Sequence, residues 1–218
     1  MTRDIVDALA ALALCAAAAQ AAPLVVSSDD MRNGDGNAHG GTYNDWDANY
    51  NGAGSPVVDG LSGGTLSGGT GVLTDGVVAT DPWVAVSNQA GTGRYVGWVT
   101  SGPTITFHFA STVTISDIAL HVDNSLVGGV TAPDAAVVDG TSCANPSWAT
   151  ASAPQTITLS GLNITGNSVV ATLSDPTQCV FLSEIEFNGT AGAVPEPASV
   201  ALMLGGLGLL AFKARRRA

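Results

Sequence analysis

The sequence predicts an all-β fold, a jelly-roll-like antiparallel sandwich. Glycine, serine, threonine, asparagine and aspartate are abundant, and short β-branched runs lie between turn residues. Residues 104–109 alternate strictly, which places Ile105, Phe107 and Phe109 on one buried face. Between the two chain ends we find no amphipathic helical pattern, so helices are predicted only at the termini.

The period of two continues along the chain. Over residues 113–122, Ile118, Leu120 and Val122 point one way and His121 points the other way. Further strands are predicted at residues 135–138, 155–159, 168–173 and 180–187. About eight strands with turns at regular spacing favour a sandwich or jelly roll.

The C-terminus has three parts in a fixed order. Residues 190–197 form a linker ending in Pro-Glu-Pro, residues 198–212 are uncharged and apolar except for Ser199, and residues 213–218 hold four of the seven basic residues. Prolines keep the linker extended and open to a protease. The apolar run is predicted to be a transmembrane sorting helix with its basic end in the cytoplasm.

This tail resembles the PEP-CTERM sorting signal of Gram-negative bacteria. The residues that carry the resemblance are Pro195, Glu196, Pro197, Arg215, Arg216 and Arg217. It implies that a membrane exosortase recognises and cleaves the tail. The alternative is a plain single-pass anchor, but 15 apolar residues span only ~22 Å of a ~30 Å hydrocarbon core.

The N-terminus predicts export. Residues 1–21 have the pattern of a signal peptide: Arg3, an apolar stretch over residues 8–19, and a small-x-small cleavage site ending at Ala21. A lipoprotein signal at Cys15 is the weaker alternative, because bulky Leu14 precedes it. The mature chain then comprises residues 22 to about 194, the size of one domain.

Charge excludes some partners. Of 18 acidic residues 15 lie in the mature part, where Arg32 and Arg94 are the basic ones, so its net charge is about −13. A nucleic-acid surface needs a basic face, so nucleic acid is excluded. Simple charge attraction to anionic lipid or acidic polysaccharide is disfavoured as well.

Cys143 and Cys179 remain as an even pair in an oxidising compartment, which predicts a disulfide. Closing that loop would stabilise the fold by ~3 to 4 kcal/mol. The alternative is two free thiols.

A second resemblance covers residues 72–189. Its motifs are residues 72–77 (Val-Leu-Thr-Asp-Gly-Val), Trp83, residues 95–98, residues 105–109, residues 130–133 and the closing strand 181–187. Their succession resembles discoidin-like, galactose-binding-like jelly rolls. The resemblance implies a mostly non-catalytic module that binds sugars, other surface ligands or calcium through loops at one end.

This resemblance also implies a structural Ca²⁺ held by Asp75 and Glu184, with backbone carbonyls completing the shell; hard oxygen ligands suit calcium. The alternative is that Asp75 makes a turn and Glu184 is a solvated strand residue. A second, weaker calcium cluster is Asp29, Asp30, Asp35 and Asn37.

Residues 22–71 depart from the family pattern and form a Gly/Asn/Asp-rich opening segment, predicted to be rich in loops. Its aromatic residues Tyr43, Trp46 and Tyr50 are candidates for stacking on sugar rings. The alternative is that these rings fold back and cap the sandwich.

Together these patterns predict an exported, exosortase-processed surface or matrix protein. It would act without catalysis in binding extracellular polysaccharide and would pass through the inner membrane in transit. The alternatives are a secreted polysaccharide-degrading enzyme, in which Glu184 and Glu186 would be the paired carboxylates, and a purely structural adhesin.

Overall fold

The computed structural model describes residues 21–38, 42–54, 64–99, 102–144, 152–174 and 179–192. The predicted signal helix and sorting helix lie outside these residues. Within the described part of the chain, no helix is long and apolar enough to cross a bilayer.

Eleven strands form within the described residues. They are β1 (Ala22–Leu24), β2 (Ser28–Arg32), β3 (Asn37–Ala38), β4 (Tyr43–Asn44), β5 (Thr65–Gly69), β6 (Val96–Trp98), β7 (Thr104–Val122), β8 (Ala135–Val138), β9 (Thr141–Ala144), β10 (Gln155–Ser174) and β11 (Val180–Ala191). One short helix, α1 (Trp83–Val86), and 3-10 turns at Val72–Thr74 and Val127–Gly129 complete the described elements. The predicted all-β class is confirmed.

Nine strands form one antiparallel sheet. Its main path runs β1-β11-β7-β10-β8-β9, while β2 pairs with β5 and β7, and β6 pairs with β11. The opening segment 22–71 therefore contributes β1, β2 and β5 to the sheet. The first and last strands lie side by side, with Ala22 opposite Gly189.

The sheet folds over on itself because its two longest strands bend. The Phe107 ring lies 4.9 Å from that of Phe187, and Phe187 pairs with Ile118 of β7. A straight strand would separate positions 107 and 118 by ~36 Å. Near the bend, β7 exchanges β2 for β11 as its neighbour. Its two halves thus supply both layers of a sandwich.

Apolar side chains from alternating strand positions fill the space between the two layers of the sandwich. Ile105, Phe107 and Phe109 are buried as predicted, and so are Ile118 and Leu120. A second, smaller cluster lies beside the main one and comprises Ala79, Trp83, Tyr95, Val130 and Phe181. Phe187, which is fully buried, packs against both Phe107 and Phe109.

The sandwich has two distinguishable ends. The terminal end holds the bend and the outer ends of β1 and β11, residues 22–28, 109–116, 161–167 and 187–192. The loop end lies at the opposite ends of these strands and holds residues 43–46, 81–98, 123–134 and 179–182. Along β7, Val113 and Val122 are ~30 Å apart.

The predicted disulfide is not formed: Cys143 and Cys179 are free thiols. Cys143 lies on β9, the last strand of the sheet path, and packs against the main cluster. Cys179 precedes β11, forms an isolated parallel β-bridge with Val130 through its backbone and packs against the smaller cluster. An even number of cysteines indicates an oxidising compartment but does not show whether two thiols lie close enough to bond. The predicted disulfide between Cys143 and Cys179 was therefore wrong for this structure.

Candidate ligand and cation site

A β-bulge in β11 directs two side chains at one loop. Leu182 pairs with Val122 and Glu184 with His121, so Ser183 is the extra residue. The Ser183 hydroxyl accepts a hydrogen bond from the amide of Ala79 at 3.3 Å. One Glu184 oxygen, Oε2, accepts from the amide of Gly76 at 3.0 Å. The bulge therefore fastens residues 76–79 to the closing strand.

Glu184 is a buried carboxyl group with only 4% of the residue exposed. Burial raises the pKa of Glu184 to about 8, because the charged form loses its hydration. The negative charges of Asp75 and Glu186 add to this rise, and the hydrogen bond from Gly76 opposes it. A cation at this point would therefore stabilise the ionised carboxylate.

Asp75, the other predicted calcium ligand, lies one residue before Gly76. Its Oδ1 accepts from the amide of Val77 at 2.8 Å, which closes a turn. Its Oδ2 lies 3.7 Å from Nη1 of Arg94, and both side chains are partly exposed. Asp75 thus makes the turn that the alternative predicted, and its charge adds to the raised pKa of Glu184; the calcium site at these two acids stays a prediction.

The donor set fits calcium in part. Glu184 and Asp75 offer hard carboxylate oxygens, and no basic side chain among the described residues forms an ion pair with Glu184. In the described ranges, no three His, Cys, Asp or Glu side chains converge on one point. Backbone carbonyls would therefore have to supply most of the shell.

A small cavity of about 230 Å³ opens beside Glu184. The segment that joins β1 to β2 covers one side, and Thr74 and Gly76 form part of another. Glu186 also lines this cavity, so both glutamates of β11 reach it.

Two buried aspartates hold the 3-10 turn Val72–Thr74: Asp47, to which sequence reasoning assigned no role, and Asp29, which it placed in the weaker calcium cluster. Asp47 accepts from the amide of Val72 at 2.8 Å, and Asp29 accepts from the hydroxyl of Thr74 at 3.2 Å. Burial raises the pKa of Asp29 to about 7 and also raises that of Asp47. These carboxyl groups hold the 3-10 turn that directly precedes the loop with Asp75.

A third buried aspartate lies at the loop end. Asp45 accepts a short hydrogen bond from the hydroxyl of Ser87. Burial raises the pKa of Asp45 to about 7, and the charge of Asp123 adds to it. Asp123 in turn accepts from the amide of Trp83 at 2.7 Å and so anchors α1. The run Asn-Asp-Trp-Asp at residues 44–47 was the sequence feature that could have indicated a role for Asp45 and Asp47.

The weaker calcium cluster within residues 29–37 is not assembled as one site. Asp30 faces His108 of β7 at 2.8 Å. Asp35 accepts at 2.6 Å from the backbone amide that follows β6. Asp29 turns inward to the 3-10 turn, so these carboxylates serve separate structural contacts.

The three candidate aromatic rings have different environments. Trp46 and Tyr50 are buried, each with 7% exposed. The Tyr50 hydroxyl donates a short hydrogen bond to the carbonyl of Asp29 and accepts from the amide of Gly69 at 2.8 Å. For these two rings the structure agrees with the folded-back alternative and corrects the proposed sugar contact. They bury because β2 and β5 draw the opening segment onto the sandwich.

Tyr43 is the partly exposed ring of the three. Its ring packs edge-on against Trp83, with centroids 5.5 Å apart at 84°. Next to it, the side-chain amide of Asn44 donates to the carbonyl of Gln89 at 2.6 Å. The Asn88 side chain accepts from backbone amides of its own turn. A fixed ring beside ordered amide groups therefore occupies the loop end.

His121 lies on the outer face of β7, as predicted, but it is covered there. Its Nδ1 is 2.9 Å from the hydroxyl of Thr156, and its Nε2 is 3.3 Å from Oε2 of Glu186. A cavity of about 250 Å³ lies over it, between residues 78–80 and 154–156. The contacts tie β7 to both neighbouring strands.

Comparison with known proteins identifies the tail. Residues 193–217 match the PEP-CTERM protein-sorting motif, which confirms the sequence prediction. The motif indicates an exported protein that is sorted via the membrane. No curated protein matches this sequence.

Three solved structures have a weakly similar fold. The CBM32 of AlyQ in complex with 4,5-unsaturated mannuronic acid has a TM-score of 0.32 and 13% identity, over 43% of this chain and 75% of that one. The family 32 CBM from C. perfringens NanJ in complex with galactose has a TM-score of 0.32 and 8% identity, over 43% and 75%. A fucolectin from the serum of striped bass, Morone saxatilis, has a TM-score of 0.38 and 15% identity, over 56% and 42%. Likeness at this level assigns neither a ligand nor a site to this chain.

Proposed function

We propose that this exported protein binds neutral carbohydrate of the extracellular polysaccharide layer at the loop end of its sandwich, without catalysis. The observation that carries the proposal is the partly exposed Tyr43 ring, held against Trp83 beside the ordered Asn88 amide. Aromatic faces stack on sugar C–H groups, while amides bond hydroxyls. Contacts that already fix the ring reduce the ordering cost of binding.

Charge favours a neutral ligand. The mature domain has a net charge of about −13, and Arg94, one of its two basic residues, faces Asp75. An acidic sugar chain would meet like charge on most of the surface. Neutral sugars would meet no such repulsion.

A direct test is binding of the mature domain, residues 22–194, to a glycan array and to isolated matrix polysaccharide. Tyr43→Ala should weaken binding roughly tenfold, the equivalent of ~1.4 kcal/mol. The matched variant Tyr43→Phe keeps the ring and should bind nearly as well. Equal binding by the alanine variant and the parent, with both folded by circular dichroism, would exclude Tyr43 as the sugar contact.

A structural calcium ion at Asp75 and Glu184 belongs to the same proposal. The supporting observation is the buried Glu184 carboxyl group next to the Asp75 turn. The ion would join the loop after Val72–Thr74 to β11 and leave the sugar contacts at the loop end. We propose exosortase as the processing partner, on the basis of the matched tail motif.

One observation favours a second candidate, a polysaccharide-cleaving enzyme. Glu184 and Glu186 line the same cavity, and burial raises the pKa of Glu184 to about 8. A pair of carboxyl groups in which one has a raised pKa and acts as the acid is the arrangement used in glycoside hydrolysis. Release of reducing ends from isolated polysaccharide, lost in both Glu184→Gln and Glu186→Gln, would establish this candidate. Binding without turnover supports the non-catalytic module.

A further inference from the structure

Four consecutive residues, 43–46, contact four successive points along residues 83–91, the segment that comprises α1 and the turn of Asn88. The contacting pairs are Tyr43 with Trp83, Asp45 with Ser87, Asn44 with Asn88 and Trp46 with Gly91. Two of the pairs are hydrogen-bonded and the other two are packed rings. The position of residues 83–91 therefore depends on this run.

The helix α1 is too short to be stable alone. It has four residues, whereas an isolated helix needs ~12 to 15 residues to be even marginally stable. Its N-cap residue, Pro82, makes no side-chain hydrogen bond to it. Buried carboxyl groups from two other segments hold its ends instead. Asp123 accepts from the amide of Trp83 at 2.7 Å, and Asp45 accepts from the hydroxyl of Ser87 just after the last helical residue.

The backbone of Asp45 is itself fixed on both sides. Its amide donates to the carbonyl of Gly36 at 3.0 Å, and its carbonyl accepts from the amide of Gly97 in β6 at 2.7 Å. A β-carbon at Gly34 would lie 2.2 Å from that carbonyl oxygen, so the backbones approach closely here. The Asp45 side chain is therefore a fixed point of the sheet to which the end of α1 is attached.

The Asp45 carboxyl group lies where a negative charge is poorly stabilised. Only 1% of the residue is exposed, and its second oxygen, Oδ2, has no hydrogen-bond partner among the described residues. No basic side chain among them forms an ion pair with Asp45. The uncharged carboxyl group avoids this cost, since Oδ1 can still accept from Ser87.

The neighbouring titratable groups do not relieve the charge. The two oxygens of Asp123 accept from the first amide of α1 and from the amide of Ser125, so this group holds its negative charge beside Asp45. Burial and the charge of Asp123 together raise the pKa of Asp45 to about 7. Asp35 accepts from the backbone amide that follows β6, and the Tyr95 hydroxyl donates to a backbone carbonyl.

We propose that Asp45 is a positioning residue of the sugar site at the loop end, and that only its uncharged form keeps Tyr43 and the turn of Asn88 in place. Ionised Asp45 repels Asp123 across the two ends of α1, and the segment between them loosens. The expected change in sugar affinity rests on the proposed sugar site, whereas the loosening of residues 83–91 occurs without any sugar.

The direction of the pH dependence follows from the two states of the segment. When residues 83–91 open, Asp45 meets water and its pKa returns to about 4. Between pH 4 and 7 the closed segment therefore binds more protons than the open one. By linkage, the closed population falls as the pH rises through this window.

Amide hydrogen exchange of the exported chain, with its tail and in detergent, tests the segment without sugar. Protection factors, which correct for the chemical exchange rate, should fall roughly tenfold for residues 84–91 between pH 5.5 and pH 8. Asp45→Asn keeps an acceptor for Ser87 but does not titrate, so its segment should be equally protected at both pH values. Asp29→Asn, the matched control, removes a buried acid elsewhere and should keep the tenfold fall. A fall that persists in Asp45→Asn, or that Asp29→Asn reduces as much, would overturn the inference.

A second variant, Ser87→Ala, removes the contact and leaves the carboxyl group in place. Its segment should be several times less protected than that of the parent at pH 5.5, and equal protection would also overturn the inference. This variant decides the question if Asp45→Asn fails to fold.

Binding to isolated neutral matrix polysaccharide provides the readout at the sugar site. The Kd of the parent should rise severalfold from pH 5.5 to pH 8, and that of Asp45→Asn should stay constant. A constant Kd in the parent, while its segment loosens, would refute Asp45 as a positioning residue of the site. A parent that binds no polysaccharide at either pH would refute the sugar site itself, and the exchange data would then decide the role of Asp45 in the segment.

Discussion

Single buried carboxyl groups dominate the chemistry of this domain. For Asp29 and Asp45 burial raises the pKa to about 7, and for Glu184 to about 8. In the unfolded chain such groups titrate near pH 4. Between pH 4 and 8 the folded state therefore holds more protons than the unfolded state. By linkage, the free energy of unfolding falls as pH rises through this window.

We therefore predict a melting temperature several degrees higher at pH 5 than at pH 8 in a chelating buffer. Asp29→Asn removes one titrating group, while its amide oxygen can still accept from Thr74, so the pH dependence should become shallower. Asp117→Asn is the control, because the pKa of Asp117 is lowered by hydrogen bonds from serine hydroxyls. A melting temperature that rises from pH 5 to pH 8 would show that these carboxyl groups are ionised in the folded state.

Calcium bound by Asp75 and Glu184 should counteract the loss of folding stability at higher pH. A ligand that binds only the folded state at a hundredfold excess over its Kd stabilises by ~2.7 kcal/mol. We expect calcium to raise the melting temperature at pH 8 by several degrees, and magnesium to raise it less because of its stricter octahedral geometry. Asp75→Asn and Glu184→Gln should each remove most of the response. A response that persists in both variants would place the ion elsewhere, and no response in the parent would leave Asp75 as a turn residue.

At the residue scale, sequence reasoning assigned acids to a calcium site where they resemble a known motif, and that assignment stays a prediction. Asp75 and Glu184 were assigned because a turn and a closing strand surround them. Asp45 and Asp47 were given no role and Asp29 was placed in the weaker calcium cluster, because burial is set by segments distant in sequence and leaves no local signature at a turn aspartate. The same reason explains Trp46 and Tyr50: whether a ring in a polar segment is exposed depends on what packs over it.

Among the elements, the bent pair β7 and β10 decides the architecture. Alternation predicted the buried positions of each half correctly, because a half-strand shows its own period of two. The same alternation predicted two separate strands at residues 155–159 and 168–173, whereas the structure has one continuous strand, β10, through both. Register shifts between Ser160 and Ile164 and between Gly166 and Ser168 interrupt the pattern at the bend. Such continuity depends on pairing with β7, which a single segment does not encode.

The contact between β6 and β11 provides a test at the same scale. Phe181 packs over Gly97, where a β-carbon would lie 2.5 Å from the ring. Gly97→Ala should therefore force the ring to move and destabilise the fold by ~1 to 3 kcal/mol, lowering the melting temperature by roughly 5 °C. Ala110→Thr enlarges an exposed position on β7 and should have little effect. An unchanged melting temperature for Gly97→Ala would mean that Phe181 has room to shift.

For the molecule as a whole, the strand pattern predicted the all-β fold class and the C-terminal motif predicted export, while the exclusion of nucleic acid on the basis of charge stays a prediction. The arrangement of charge, however, arises only in three dimensions. Stretches from four distant parts of the sequence meet at the terminal end because β1, β7, β10 and β11 adjoin there, and the partly exposed Asp117 carboxylate lies among them. No linear window of the chain displays that surface.

The last prediction concerns the separation of fold from tail. The hydrogen bond from Gly192 to Thr112 is the final contact of β11 with the bend, and the matched motif starts one residue later. Removal of the tail should therefore leave the sandwich intact. Intact-mass analysis of the exported protein should give a C-terminus near residues 194–197, without the arginine cluster. A purified chain ending at residue 194 should melt within about one degree of the tail-bearing chain in detergent, because no described core contact is lost. A mass that retains residues 213–218 would identify a plain anchor, and a large fall in melting temperature would show that the tail contributes to the fold.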